Sequence, residues 1–122
     1  MYVSGDTGLY EGMKVLGQRD VDIALLPVWG WGPTLGPGHL DPAAAADATA
    51  LIRPRIAVPV HWGTLALAGM ASVPSPLRAR MRRLLVDPPR AFATEVAARG
   101  LSTRVVLAEP GTAVDLSLSA AA

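Results

Sequence analysis

Arg55-Ile56-Ala57-Val58-Pro59-Val60-His61-Trp62-Gly63-Thr64 reads as a short buried strand that stops on a histidine. Ile56, Ala57, Val58 and Val60 are apolar and mostly β-branched, the composition of a strand covered on both faces. Gly63 then breaks the run. In open α/β sheets, chemistry gathers at the carboxyl ends of strands, which is where His61 falls. A lone histidine there is commonly a core residue with one satisfied hydrogen bond. A second stretch, Val3-Ser4-Gly5-Asp6-Thr7-Gly8, gives more weight to a site, because it also ends an apolar segment on a potential ligand.

Working outward, Val21-Asp22-Ile23-Ala24-Leu25-Leu26-Pro27-Val28 is a further strand, nearly continuous in apolar character and so suited to burial under helices. Between it and the first stretch, Asp41-Pro42 opens a helix with a favoured cap and a favoured first residue, Ala43 to Ile52 continues it, and Pro54 stops it. Strand, loop, helix, strand implies a parallel crossover. Trp29 to Leu40, with Gly30, Gly32, Pro33, Gly36, Pro37 and Gly38, reads as a long loop of the kind that often serves as a lid. Trp29 and Trp31 lie in it, and covering the core edge is the plainer role for both.

Toward the amino terminus, Tyr10, Met13 and Leu16 have helical spacing, and Gly17 is expected to end that helix. Met1 to Gly5 looks like the end of a strand without its beginning, which suggests that an N-terminal portion is missing. Toward the carboxyl terminus, Ser72 to Pro76 is a linker. Leu77, Met81, Leu84 and Leu85 then form one apolar helical stripe, with Arg78, Arg80, Arg82 and Arg83 as a solvated face. Asp87-Pro88-Pro89 starts a helix by the same capping logic as Asp41-Pro42. Glu95 and Arg99 pair along it, and Gly100 closes it. Arg104 to Ala108 and the alternating Val114, Leu116 and Leu118 are expected strands, with a frayed tail at 119–122.

The 122 residues are enough for one domain with a real core, and 51% of them are hydrophobic. A formal charge of +1 gives no general attraction to nucleic acid or anionic membrane. The absence of cysteine excludes disulfide scaffolds and thiolate metal sites and fits a reducing cytoplasm. No apolar run approaches the ~20 residues of a membrane span.

Asp6, His39 and His61 are the candidate functional residues. If the sheet is parallel, strand ends share one edge and the three can converge. Carboxylate with imidazole suits a divalent metal such as zinc, with manganese or iron as alternatives. The chain has only two histidines, so it cannot form a multi-histidine cage by itself.

Gly5-Asp6-Thr7-Gly8, Ala24-Leu25-Leu26-Pro27, Gly38-His39-Leu40-Asp41-Pro42 and Pro59-Val60-His61-Trp62-Gly63-Thr64 occur in this order. Together they resemble the C-terminal half of a metallo-β-lactamase-fold hydrolase. The nearest branch is that of lactonase-like enzymes and the N-acyl-phosphatidylethanolamine-hydrolysing phospholipase D type. The resemblance implies an α/β fold that is half of a four-layer αββα sandwich, a mixed sheet with helices on its outer face. It implies one partial domain over 1–118, lacking the His-x-His-x-Asp-His segment of the N-terminal half.

It also implies roles. Asp6 is expected to bridge two metal ions, zinc first among them, and His61 to be the last histidine ligand. His39 is expected to contact substrate or the developing oxyanion, and Asp6 and His39 together to be catalytic. Trp29 and Trp31 would border the substrate pocket, and Thr7 and Thr64 would donate to the ligands from behind. The implied reaction is hydrolysis of an ester, lactone or phosphodiester, small or lipid-like, by a metal-bound hydroxide. Alone the chain is expected to be nearly inactive, completed by its missing half or by a second copy. A non-catalytic α/β remnant or dimerisation module is the alternative. Nucleic-acid processing, known in some members of the fold, is disfavoured by the near-neutral charge.

Overall fold

β2 (Ile23–Pro27) and β3 (Ile56–Val60) pair in parallel over five positions each, from Ile23 opposite Ile56 to Pro27 opposite Val60. They form the centre of a parallel four-stranded sheet, with β1 (Tyr2–Val3) beside β2 and β4 (Arg104–Val105) beside β3. The order β1-β2-β3-β4 follows the chain, so each connection is a parallel crossover. The computed structural model describes residues 1–29, 38–63 and 76–118. Trp31, Thr64, most of the Gly-rich loop and the expected frayed tail lie outside the described residues.

The connections are helical: α1 (Met13–Leu16), α2 (Pro42–Ile52), then α3 (Pro76–Leu85) and α4 (Pro88–Ala98). Right-handed crossovers between sequential neighbours place successive helices on one face of a sheet. Burial agrees. Ala24, Leu26, Val28 and Ala57 share one cluster with Met13 of α1, Ala45, Ala46, Ala48 and Ile52 of α2, and Phe92 and Val96 of α4. On the other face Val3 is 56% exposed and Leu25, its register partner, is half-buried. Among the described residues no helix is long and apolar enough to cross a membrane.

The Asp41-Pro42 start forms as its residues dictate. Asp41 has an extended backbone and its carboxylate accepts a hydrogen bond from the Ala44 amide at 2.8 Å. The Asp87 start differs. Asp87 is already in the right-handed helical region, where its side chain makes no capping bond, and its carbonyl receives the Ala91 amide instead. Gly100, at φ 63°, ends α4 with the Gly100 amide on the Ala97 carbonyl and the Leu101 amide on the Val96 carbonyl, the paired bonds of a Schellman cap. The Glu95–Arg99 pair forms, and Arg99 also reaches Asp47 at 2.9 Å, which ties α4 to α2.

Two expectations are corrected. The sheet is parallel throughout the described residues, not mixed. The strand expected over Val114–Leu118 does not form, and β4 is shorter than Arg104–Ala108. Val114 and Leu116 are half-buried between exposed neighbours, so the alternation marks burial without ladder pairing. Arg104 instead donates to the Ser117 carbonyl at 2.9 Å, holding that segment beside β4.

Gly17 ends α1 as expected, with a right-handed backbone at φ −64°. A Cβ there would lie 2.2 Å from the Leu51 carbonyl oxygen. The residue is required by the close approach of α1 to α2. Gly17→Ala is expected to lower stability by about 1–3 kcal/mol, the usual cost of forcing atoms into filled space. Denaturant unfolding checks this, and an unchanged midpoint would show that the helix ends separate at no cost.

Candidate metal centre

β1 delivers Asp6. After Val3 the ladder continues through the Ser4 amide, which donates to the Leu25 carbonyl at 3.2 Å. Gly5, at φ 65°, then turns the chain off the sheet in a conformation that a Cβ disfavours. The loop is closed behind Asp6 by the Tyr2 and Tyr10 hydroxyls, 3.2 Å apart. Burial and this bond push the Tyr2 phenol up to about 12.

His39 arrives from the other side of the crossover, two residues before the Asp41 cap. Leu40 is 1% exposed and belongs to the core cluster, so His39 is held between a buried anchor and a capped helix start. Nδ1 of His39 lies 2.8 Å from Oδ1 of Asp6. Both side chains are partly open to solvent, 35% and 47% exposed. With Nδ1 protonated, His39 donates to the carboxylate, and the Nε2 lone pair is left to meet a substrate or accept a proton.

His61 follows directly on Val60, the last residue of β3, so it too leaves the sheet at the carboxyl edge. His61 has φ 57°, a left-handed backbone in a residue with a Cβ, which costs on the order of 1–2 kcal/mol and persists only where neighbours impose it. Gly63 follows at φ 73°. The Trp29 ring stands edge-on to His61, with centroids 5.9 Å apart and planes at 86°. Its indole Nε1–H donates to the Leu84 carbonyl at 2.7 Å.

The sequence-expected residues thus fall into two contacts, Asp6 with His39 and His61 with Trp29, both at the carboxyl edge. Trp29 is 7% exposed, so its ring lies largely beneath the surface. Thr7 donates its hydroxyl to the Gly8 carbonyl at 3.2 Å. Sequence reasoning did not see the end of α3 as part of this region. The residues that bring it in, Leu84 and Leu85, carry only an apolar helical pattern, and nothing local marks that the Leu84 carbonyl meets the Trp29 indole or that the Leu85 carbonyl lies against Gly63.

The donor set suits a divalent cation in kind: a carboxylate and imidazoles, partly exposed, at one edge. It is short in number. Among the described residues no group of three or more His, Cys, Asp or Glu comes together as a metal-binding cluster.

A model of the beta-lactamase superfamily domain matches residues 1–62. A protein of Deinococcus radiodurans named UPF0173 metal-dependent hydrolase is 33% identical over 116 residues, covering 95% of this chain and 40% of the relative. A protein of the same description from Methanopyrus kandleri is 36% identical over 112 residues, covering 91% of this chain and 39% of the relative. The solved structure of Igni18, a metallo hydrolase of Ignicoccus hospitalis, superposes with a TM-score of 0.64 at 31% identity, over 93% of this chain and 40% of that one. The chain therefore spans about two fifths of the length of the relatives it matches. With the domain match extending over half its residues and the backbone shared over nearly all of them, the chain belongs to the beta-lactamase superfamily, with a metallo-β-lactamase-type fold.

Proposed function

We propose that this chain carries part of the active site of a metal-dependent hydrolase acting on an ester, lactone or phosphodiester, small or lipid-like. The observation that carries the reading is the Asp6–His39 contact of 2.8 Å, at the carboxyl edge of the sheet from which His61 also leaves. Asp6 and His61 are the metal donors within the chain, and further donors come from outside these residues or from a second copy. Zinc fits the carboxylate and imidazole donors best, with manganese or iron as alternatives. A bound zinc supplies Lewis acidity toward the scissile group and acidifies water at neutral pH.

The chain's own residues have separate tasks. The Asp6 carboxylate supplies negative charge at the site and orients the His39 ring through Nδ1. His39 then presents Nε2 to the substrate, where it holds or moves a proton. Ser4, Gly5 and the Tyr2–Tyr10 contact fix the loop that carries Asp6. Nucleic acid is a poor substrate for a chain with a net charge of +1, and the cysteine-free composition fits the cytoplasm.

The test is metal removal and return. With the half or second copy that completes the site present, hydrolysis of a lactone, a p-nitrophenyl ester and bis-p-nitrophenyl phosphate is measured before chelation, after it, and after zinc is restored. At least one activity is expected to vanish and recover. His39→Ala is expected to keep its metal and lose about 10²–10⁴-fold in kcat. Activity that survives chelation would sink the reading. The second reading, a non-catalytic α/β module, rests on the missing third donor among the described residues. It predicts that Asp6→Ala with His61→Ala leaves zinc content unchanged.

A further inference from the structure

We propose that Trp29 is a positioning residue for His61, and that through it the carboxyl end of α3 is part of the metal site. The proposal rests on the reading of His61 as a metal donor and goes beyond it. His61 is in a left-handed conformation that a non-glycine residue adopts only under constraint. Two contacts supply the constraint, and both lead to the last turn of α3.

The first is the indole. Helix ends leave their final four carbonyls without an intrahelical donor. The Leu84 carbonyl, one residue before the end of α3, accepts the Trp29 Nε1–H at 2.7 Å. That bond fixes the indole plane, and the indole meets the imidazole edge-on at 5.9 Å, an aromatic arrangement favoured over face-to-face stacking. Trp29 follows Val28, a core residue 0% exposed, so its backbone has little freedom. The second contact is the turn after His61. A Cβ on Gly63 would lie 3.0 Å from the Leu85 carbonyl oxygen, and Gly63 is itself left-handed at φ 73°. The turn thus rests directly on the end of α3, at a distance that only glycine tolerates easily.

A ligating imidazole must hold its ring plane and direction, and partners around it commonly contribute 10–100-fold in metal affinity. Trp29 provides that hold by packing, with α3 as the brace.

With the half or second copy that completes the site present, the experiment measures zinc affinity by chelator competition, and the visible absorption of the cobalt(II)-substituted protein, for wild type, Trp29→Leu, Trp29→Phe, His61→Ala and Val96→Ala. Trp29→Leu is expected to weaken zinc binding by about 10–100-fold and to shift the cobalt bands. Trp29→Phe keeps a ring edge for His61 but cannot donate to Leu84, and it is expected to recover part of the loss. Val96→Ala truncates a buried side chain in the helix layer and serves as a stability control, expected to leave zinc affinity and cobalt spectrum unchanged. Equal losses in Trp29→Leu and Val96→Ala, or no loss in Trp29→Leu, would overturn the proposal. Unchanged zinc binding in His61→Ala, or no zinc binding by the wild type, would overturn the functional reading beneath it.

Discussion

Asp6→Ala is expected to remove bound metal and with it the hydrolytic activity, with zinc affinity falling by at least about 100-fold. Partners around a ligand already contribute 10–100-fold, and a ligand itself contributes no less. The substitution acts twice. It deletes the carboxylate that meets His39, and it releases the His39 ring, whose Nδ1 lies 2.8 Å from Oδ1. The fold is not expected to suffer. Asp6 is on a loop and its side chain is 47% exposed, and substitutions at such positions usually stay within about 0.5 kcal/mol. Metal analysis alongside thermal unfolding separates the two effects. Asp6→Asn keeps the shape and loses the charge, and should resemble Asp6→Ala if charge is what holds the metal. An Asp6→Ala protein with full metal content would remove Asp6 from the site.

Phe92→Ala carries the largest expected cost in stability, about 3–5 kcal/mol. Phe92 is 0% exposed on α4 and lies in the core cluster with Ala45, Ala46, Ala48 and Ile52 of α2. The alanines of α2 let α4 approach closely, and the phenyl ring fills the space their small side chains leave. Because α2 lines this part of the core mainly with alanines, most of the cavity should persist. A domain of this size commonly has about 5–15 kcal/mol in total, so the variant should be close to unfolding. In urea the midpoint should fall steeply with an unchanged slope, since the surface exposed on unfolding is the same. A loss under about 1 kcal/mol would mean that the helix layer repacks.

Much of this architecture is legible in local residue choices. Asp41-Pro42 and Gly100 end their helices as written, because cap geometry depends on a few adjacent atoms. Ile23–Pro27 and Ile56–Val60 are strands because near-continuous apolar runs bounded by turn residues have few other ways to bury themselves. The candidate ligands Asp6 and His61 were also visible, since a polar residue at the end of a buried strand is conspicuous. That His39 meets Asp6 was not, because it depends on packing between segments 33 residues apart.

Local pattern also misleads where pairing decides. Val114, Leu116 and Leu118 alternate as a strand does, and Val114 and Leu116 are half-buried, yet the segment joins no ladder. Alternation reports that one side faces the protein, while a strand also requires a neighbouring edge for its amides. Asp87 has the residue type of a cap, but its backbone is already helical. Gly17 ends its helix as its residue type suggests, but nothing local shows that it is also where α1 meets α2.

The sequence by itself determined the α/β class, the parallel crossover between the two central strands, and which side chains could bear metal chemistry. Those follow from hydrophobic period, capping atoms and ligand chemistry, all of short range along the chain. Only the tertiary structure decided that His39 meets Asp6, that His61 stands in a left-handed turn against Trp29, and that the end of α3 supports both Trp29 and Gly63. Each of these is a contact between elements distant in sequence, fixed by how sheet and helices pack, and no local pattern encodes it.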